Sequence, residues 1–349
     1  MGGKLRAAIV GSTGYGGVEL IRLLLQHPNV EIASVVSSSN AGALYAEGYP
    51  HLTEIVTDRL EAIDPEAMKS KADVVFLATP HGVSTELTPK LIEAGLKVID
   101  VSGDLRLKRG DVYEKWYKHK PAAPEYLERA VYGLCEVFGD DVRGADLIAN
   151  PGCFPTATAL GLVPLLAERW IDPSTIISDA KTGVSGAGRG LGLTHHYSEI
   201  NENTLAYKVN RHQHTPEIEQ TLSRIADEEV TMTFTTHLLP MTRGILVTSY
   251  AKLNAARTDE EVLDLFRKYY EGRRFVRIRP AGKLPATKEV YGSNYCDIGV
   301  SVDERTNRVT VISVIDNLVK GAAGQAVQNL NLMMGWDEGM GLAFTPVYP

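Results

Sequence analysis

Short apolar runs recur through the first part of the chain, each bounded by polar or glycine-rich turns and interleaved with segments of helical spacing. Ala7-Ala8-Ile9-Val10 reads as a buried strand, and Val18 to Gln26 follows with Leu20, Leu23 and Leu24 on one face. Val30 to Val36, Asp73 to Ala78, Lys97 to Val101 and Asp146 to Ala149 read as further strands, with a helix near Ser84 to Ala94. Apolar strands without polar alternation are buried on both faces. The pattern therefore predicts an α/β domain built on a parallel sheet covered by helices.

The pattern changes after the fifth strand. Val230 to His237 and Ile245 to Tyr250 alternate apolar and polar side chains, Pro173 to Ser178 and Val309 to Val314 read as strands, and Pro216 to Ile225 and Asp259 to Tyr270 as helices. Many strands with few helices predict an α+β domain on a mainly antiparallel sheet. Gly324 to Met334 is again helical and apolar on one side, and is expected to return to the first domain. The predicted organisation is residues 1–152 completed by 320–349, and a second domain over 153–319. No repeat or low-complexity linker interrupts it.

A chain of 349 residues exceeds one ordinary core, which agrees with two domains. With 36 Lys and Arg against 43 Asp and Glu, its net charge of −7 argues against nucleic acid as a partner, since that needs a basic face. No apolar run has membrane-spanning length, and the run within Met1 to Val10 is too short for a secretory signal. Cys135, Cys153 and Cys296 are spaced for neither a disulfide framework nor a zinc site, so no metal is expected and a cytoplasmic, reducing setting is. The free face of an antiparallel sheet points to a homo-oligomer, a dimer or tetramer.

Candidate chemistry concentrates at four places. In Asn150-Pro151-Gly152-Cys153-Phe154-Pro155, a strand hands over to a helix with Cys153 at its mouth. The helix dipole favours thiolate there, and a thiolate is a nucleophile; the plainer alternative is a small buried hydrophobe. Directly after the first strand, Gly11-Ser12-Thr13-Gly14-Tyr15-Gly16-Gly17 spaces its glycines as GxxGxxG and opens a helix. That is the context in which backbone approaches a dinucleotide pyrophosphate, in a Rossmann-type domain. The second strand ends in Ser37-Ser38-Ser39-Asn40, where a ribose-binding acid is missing. Hydroxyls there suit a 2′-phosphate and favour NADP over NAD.

The densest titratable cluster is Arg211-His212-Gln213-His214-Thr215-Pro216-Glu217, with Thr215-Pro216 as a helix start. One of the two His can serve as base for the thiol, with Glu217 orienting His214. Helix capping and metal ligation are the other roles open to the pair, the latter lacking a third ligand of good spacing. A second glycine-rich loop, Asp179 to Gly190, can cradle an anion or approach a nicotinamide ring through Ser185 and Gly186, or serve as a flexible turn. Arg106 follows the fourth strand, at the ligand-facing end of such a sheet. It reads equally as a bidentate carboxylate or phosphate clamp and as a surface charge.

Taken in order, Gly11-Ser-Thr-Gly-Tyr-Gly-Gly-Val-Glu-Leu20, Ala78-Thr-Pro-His-Gly82, Asp100-Val-Ser-Gly-Asp-Leu-Arg106, Asn150-Pro-Gly-Cys-Phe-Pro-Thr-Ala157, Gly183-Val-Ser-Gly-Ala-Gly188, His212-Gln-His-Thr-Pro-Glu-Ile218, Pro240-Met-Thr-Arg-Gly244 and Ile315-Asp-Asn-Leu-Val-Lys-Gly321 closely resemble the N-acetyl-γ-glutamyl-phosphate reductases of arginine biosynthesis. The resemblance runs end to end. It implies NADP on the Gly11–Gly17 turn, Asn317 near the nicotinamide, and a catalytic and oligomerisation role for the second domain. Cys153 is then the nucleophile, served by His212, His214 and Glu217. Independently of the resemblance, Arg106 and Asn150 are the candidate substrate contacts. The implied chemistry is attack on a γ-acyl phosphate, a thioester, hydride reduction and release of a semialdehyde. Two positions depart from the family pattern: Gln213, where Arg is common, and Cys135, where Pro is usual. Relatives with related chemistry act on carrier-linked glutamyl or aminoadipyl phosphates or on aspartate semialdehyde. A protein that binds NADP without catalysis is the alternative outside enzymes.

Overall fold

Six strands form one all-parallel sheet in a computed structural model that describes residues 3–349. Met1 and Gly2, at the head of the N-terminal run, lie outside the described residues. The strands are β1 (Leu5–Val10), β2 (Val30–Val36), β3 (Val74–Leu77), β4 (Lys97–Asp100), β5 (Val131–Tyr132) and β6 (Leu147–Ala149). Their spatial order is β2-β1-β3-β4-β6-β5. The order reverses between β1 and β3, and the carboxyl ends of the strands at such a reversal are where this architecture binds ligands. Ala8, Val10, Val75, Leu77 and Val98 put their side chains into one apolar core, which explains the unbroken apolar runs.

The second sheet has seven strands: β7 (Ile177–Gly183), β8 (Leu205–Tyr207), β9 (Thr233–Leu239), β10 (Ile245–Lys252), β11 (Val276–Ile278), β12 (Cys296–Asp303) and β13 (Arg308–Ile315). They lie in the order β11-β12-β13-β10-β7-β9-β8. Four of the neighbouring pairs are antiparallel, and β7–β9 and β11–β12 are parallel. The helix Cys153–Ala167 is apolar all round and buried from Phe154 to Leu166, as a helix enclosed by its own domain must be.

Two compact units result. One holds the residues up to Pro151 together with Ala322–Ala343, the other Gly152–Gly321 with Phe344–Pro349. The strand expected over Pro173 to Ser178 is a correction. Pro173–Thr175 is a single 3₁₀ turn capped by Asp172, whose Oδ1 accepts from Ser174 N at 3.0 Å, and β7 starts only at Ile177. An Asx cap with Pro behind it outcompetes strand pairing. β12 was hidden because Asp297, fully buried, interrupts its apolar pattern. Arg277 Nε at 2.6 Å and Arg279 Nη2 at 2.5 Å pair with that carboxylate.

Candidate active site

Cys153 is the first residue of its helix, with Gly152 as the N-cap, and is partly exposed. Two features hold this helix mouth. Thr156 N and Oγ1 both donate to Gly152 O at 2.9 Å. Glu217, fully buried in the first turn of the helix Thr215–Ala226, accepts from Gly152 N at 2.8 Å through Oε1. The carboxylate that the sequence assigned to orienting His214 grips the backbone one residue before the thiol.

His212 and His214 sit at the start of the same helix and are both buried. His212 Nδ1 accepts from His214 N at 3.1 Å, so the remaining proton of a neutral ring lies on Nε2. The ring stands edge-on to Phe154 at 5.3 Å and to His214 at 4.8 Å, with Tyr207 at 5.7 Å and Phe234 at 5.9 Å. Burial, with the Lys208 charge adding to it, pulls the His212 imidazole down to about 3. It is therefore neutral at physiological pH. Burial also pushes the Tyr207 hydroxyl up, and the Cys153 charge pushes it further. Tyr207, on the three-residue strand β8, thus belongs to the thiol's surroundings; nothing in its local sequence marked it. Gln213, one of the two departures, accepts from Lys208 Nζ at 2.8 Å through Oε1.

Ser185, Gly186 and Asn317 come together at the ends of β7 and β13. Asn317 Nδ2 donates to Ser185 Oγ at 3.0 Å and its Oδ1 accepts from Gly244 N at 2.8 Å. Val184 N and Ser185 N donate to Met241 O and Thr242 O at 2.9 and 3.0 Å. A Cβ on Gly183 would stand 2.7 Å from Thr242 O, so the two loops close only around a glycine. The Gly-rich loop is therefore braced at this end rather than free.

In the first unit, the helix Tyr15–Leu24 opens at Gly14. Gly11 N and Ser12 N donate to Val36 O at 3.0 and 3.2 Å, which ties the turn to the end of β2. Gly11 adopts a φ of 81°, open to glycine. A Cβ on Gly17 would sit 2.5 Å from Gly11 O and 2.6 Å from Ser12 Cα, so only glycine lets the helix lie this close to the turn. Tyr45 OH and Tyr49 OH donate to Ser12 O at 2.8 Å and Thr13 O at 3.1 Å. Thr13 Oγ1 lies 3.3 Å from Ser37 Oγ; Ser38 beside it is exposed, and Gly14, Tyr15 and Gly16 are half-buried. Arg59 donates from Nη1 to Gly42 O at 2.8 Å, two residues beyond Ser37–Asn40, a segment with no cation of its own. The cradle and the helix N-terminus fit the pyrophosphate of a nicotinamide dinucleotide.

Arg106 is not the surface charge that its sequence allowed. Only 4% exposed, it donates from Nε to Asn150 O at 2.7 Å and from Nη2 to Val101 O at 2.9 Å. Asn150 is fully buried, with Oδ1 accepting from Asn329 Nδ2 at 2.9 Å and Nδ2 donating to Ala322 O at 3.2 Å. Both side chains satisfy backbone carbonyls, those of Asn150 and Val101 for Arg106 and that of Ala322 for Asn150. Cys135, the second departure, is buried and donates to Asn329 Oδ1 at 3.0 Å. Among the described residues no group of His, Cys, Asp or Glu is arranged to hold a metal ion, and no helix is long and apolar enough to cross a membrane.

Family models match most of the chain: "Semialdehyde dehydrogenase, NAD binding domain" over residues 6–145 and "Semialdehyde dehydrogenase, dimerisation domain" over 153–317. A protein of Geobacillus sp. (strain WCH70) named N-acetyl-gamma-glutamyl-phosphate reductase is 58% identical, covering 99% of this chain and 100% of that one. One of the same name from Bacillus subtilis (strain 168) is 55% identical over the same shares. Among solved structures, aspartate semialdehyde dehydrogenase II complexed with ASA from Vibrio cholerae has a TM-score of 0.74 at 18% identity, covering 96% of this chain and 99% of that one. Aspartate semialdehyde dehydrogenase with NADP from Candida albicans has a TM-score of 0.68 at 18% identity, over 94% and 98%. At such identities these structures speak for the fold alone.

Proposed function

The chain belongs to the semialdehyde dehydrogenase family, among its N-acetyl-gamma-glutamyl-phosphate reductases, and from that premise we propose that it converts N-acetyl-γ-glutamyl phosphate to N-acetyl-glutamate 5-semialdehyde and phosphate, reversibly, in the third step of arginine biosynthesis. The cofactor is a nicotinamide dinucleotide, and NADP is our reading of which one. Ser37 and Ser38, the absence of a carboxylate from Ser37 to Asn40, and Arg59 at Gly42 support it. The Gly11–Gly17 turn, with Ser12, Thr13, Gly14, Tyr15 and Gly16, is the pyrophosphate cradle. Ser185, Gly186 and Asn317 serve the nicotinamide end. When bound, the nicotinamide supplies the hydride.

The chain's own residues do the rest. Cys153 Sγ attacks the γ-acyl carbon, the C–O bond to phosphate breaks, and a thioester remains on sulfur. His214 takes the thiol proton and returns it to sulfur when the C–S bond breaks and the aldehyde leaves. His212 is a positioning residue: neutral, with its Nδ1 on His214 N, it fixes the start of the helix from which His214 and Glu217 project. Glu217 holds Gly152 and so the helix mouth, whose dipole favours the thiolate and the transient oxyanion. Arg106 and Asn150 act by holding the backbone that leads to Pro151.

The observation that carries this reading is the helix-mouth cysteine tied through Gly152 to the His–Glu helix. The match to a dimerisation domain supports a homo-oligomer, and we read it as a dimer or tetramer in the cytoplasm. The test follows reduced cofactor formed from N-acetyl-glutamate semialdehyde and phosphate, with NADP and with NAD, and repeats it with the unacetylated aldehyde. Cys153→Ser is expected to lose at least about three decades of turnover while still binding cofactor. Near-normal turnover in that variant ends the thioester scheme.

A further inference from the structure

Gly321 ends the family-like segment Ile315 to Gly321, far from Cys153 in sequence. It lies buried in a π-helical turn, Val319–Ala323, with a backbone that needs no positive φ. Its reason for being glycine is therefore not conformation. A Cβ built on it would stand 2.7 Å from Cys153 Cβ, 3.2 Å from Cys153 Cα and 3.3 Å from Ile315 Cδ1. The first two atoms belong to the root of the thiol side chain. Rotation about the Cys153 Cα–Cβ bond swings Sγ and leaves Cβ where it is, so no rotamer relieves the overlap.

We propose that Gly321 is a positioning residue for the nucleophile: its bare Cα forms the wall that fixes Cys153 Cβ, and hence the point from which sulfur attacks. This rests on Cys153 being the nucleophile. The wall is itself anchored. Gly321 N donates to Asp316 O at 3.0 Å. Asp316, 1% exposed, accepts Leu318 N at 2.8 Å and Val319 N at 3.1 Å through Oδ1, and Gly292 N at 2.8 Å through Oδ2. On the other side Glu217 and Thr156 hold Gly152. Any added methyl is squeezed between two tethered backbones, and the residue that moves includes Cys153.

The test is Gly321→Ala, alone and in a Cys153→Gly background, beside Gly161→Ala. Gly161 lies on the helix that Cys153 opens, where a Cβ would make only 3.4 Å contacts with Ser313 Cβ and Val311 Cγ1. Gly321→Ala is expected to lower kcat by about 100-fold, the scale of a 1 Å misplacement of a reacting group. KM for the aldehyde should stay within about twofold and iodoacetamide labelling of Cys153 should change in rate, with Gly161→Ala near wild type in all three. It should also lower Tm by about 2–12 °C, as overpacking does, and this loss should shrink once Cys153→Gly removes the opposing Cβ. Wild-type kcat in Gly321→Ala, or an equal Tm loss in both backgrounds, overturns the proposal. An active Cys153→Ser overturns the nucleophile reading instead. If Gly321→Ala does not fold, the double variant decides: folding restored supports the contact, and folding still absent refutes it.

Discussion

Replacing His212 by Asn isolates what its burial does. Asn offers an amide oxygen near the place of Nδ1, where it can still accept from His214 N, but it does not titrate. In the folded protein the imidazole takes a proton only near pH 3, against an ordinary value of 6.5. Between these values the unfolded chain holds a proton that the folded one refuses, so stability must fall as pH drops below 6.5 and rise again with pH. Each pH unit in that window costs about 1.4 kcal/mol. Going from pH 7 to pH 5 should therefore remove about 2 kcal/mol from the wild type through this group alone, or about 4–8 °C of Tm for a domain of this size. His212→Asn starts less stable, because the aromatic surround of Phe154, Phe234 and Tyr207 loses ring contacts, but that deficit does not depend on pH. The measurement is Tm or urea midpoint of both proteins at several pH values between 7 and 5. Convergence of the two curves toward acid supports a neutral, caged His212. Parallel curves would falsify it. The kinetic counterpart is that His212→Asn keeps measurable turnover, whereas His214→Asn, which removes the base, loses about two to four decades.

Two further outcomes follow from the geometry. Glu217→Ala leaves the buried Gly152 N–H without its carboxylate and should cost about 1.5–3 kcal/mol, read as a Tm drop of about 3–12 °C; Glu217→Gln, which keeps an acceptor oxygen, should lose less, and unchanged melting in the Ala variant would contradict the role given to this bond. Gly17→Ala forces a methyl against Gly11 O and Ser12 Cα and should weaken binding of the reduced dinucleotide about 5- to 100-fold, measured by fluorescence titration, while alkylation of Cys153 proceeds at its normal rate; undiminished affinity would separate the turn from the cofactor.

Elements whose cause is local could be read from the chain. β2 begins and ends at Val30 and Val36, and the helix from Thr215 starts where Thr-Pro marks it. Cys153 as a first helical residue was legible because Pro-Gly before it and Pro after it are helix-start chemistry. β5, β8 and β11 were not, since two or three residues carry no period. Nor was β12, whose buried carboxylate at its second residue, Asp297, makes sense only beside Arg277 and Arg279.

Local sequence was enough to determine where backbone must turn tightly and which side chains could be nucleophile and base, because glycine spacing, caps and helix starts depend on near neighbours alone. Tertiary structure decided the rest. Which imidazole stays neutral depends on rings brought from Phe154, Tyr207 and Phe234. Whether Arg106 meets a ligand or a carbonyl depends on where Asn150 lies. Why residue 321 carries no side chain depends on the Cβ of Cys153 standing against it. Desolvation and excluded volume are set by atoms distant along the chain, and no local pattern encodes them.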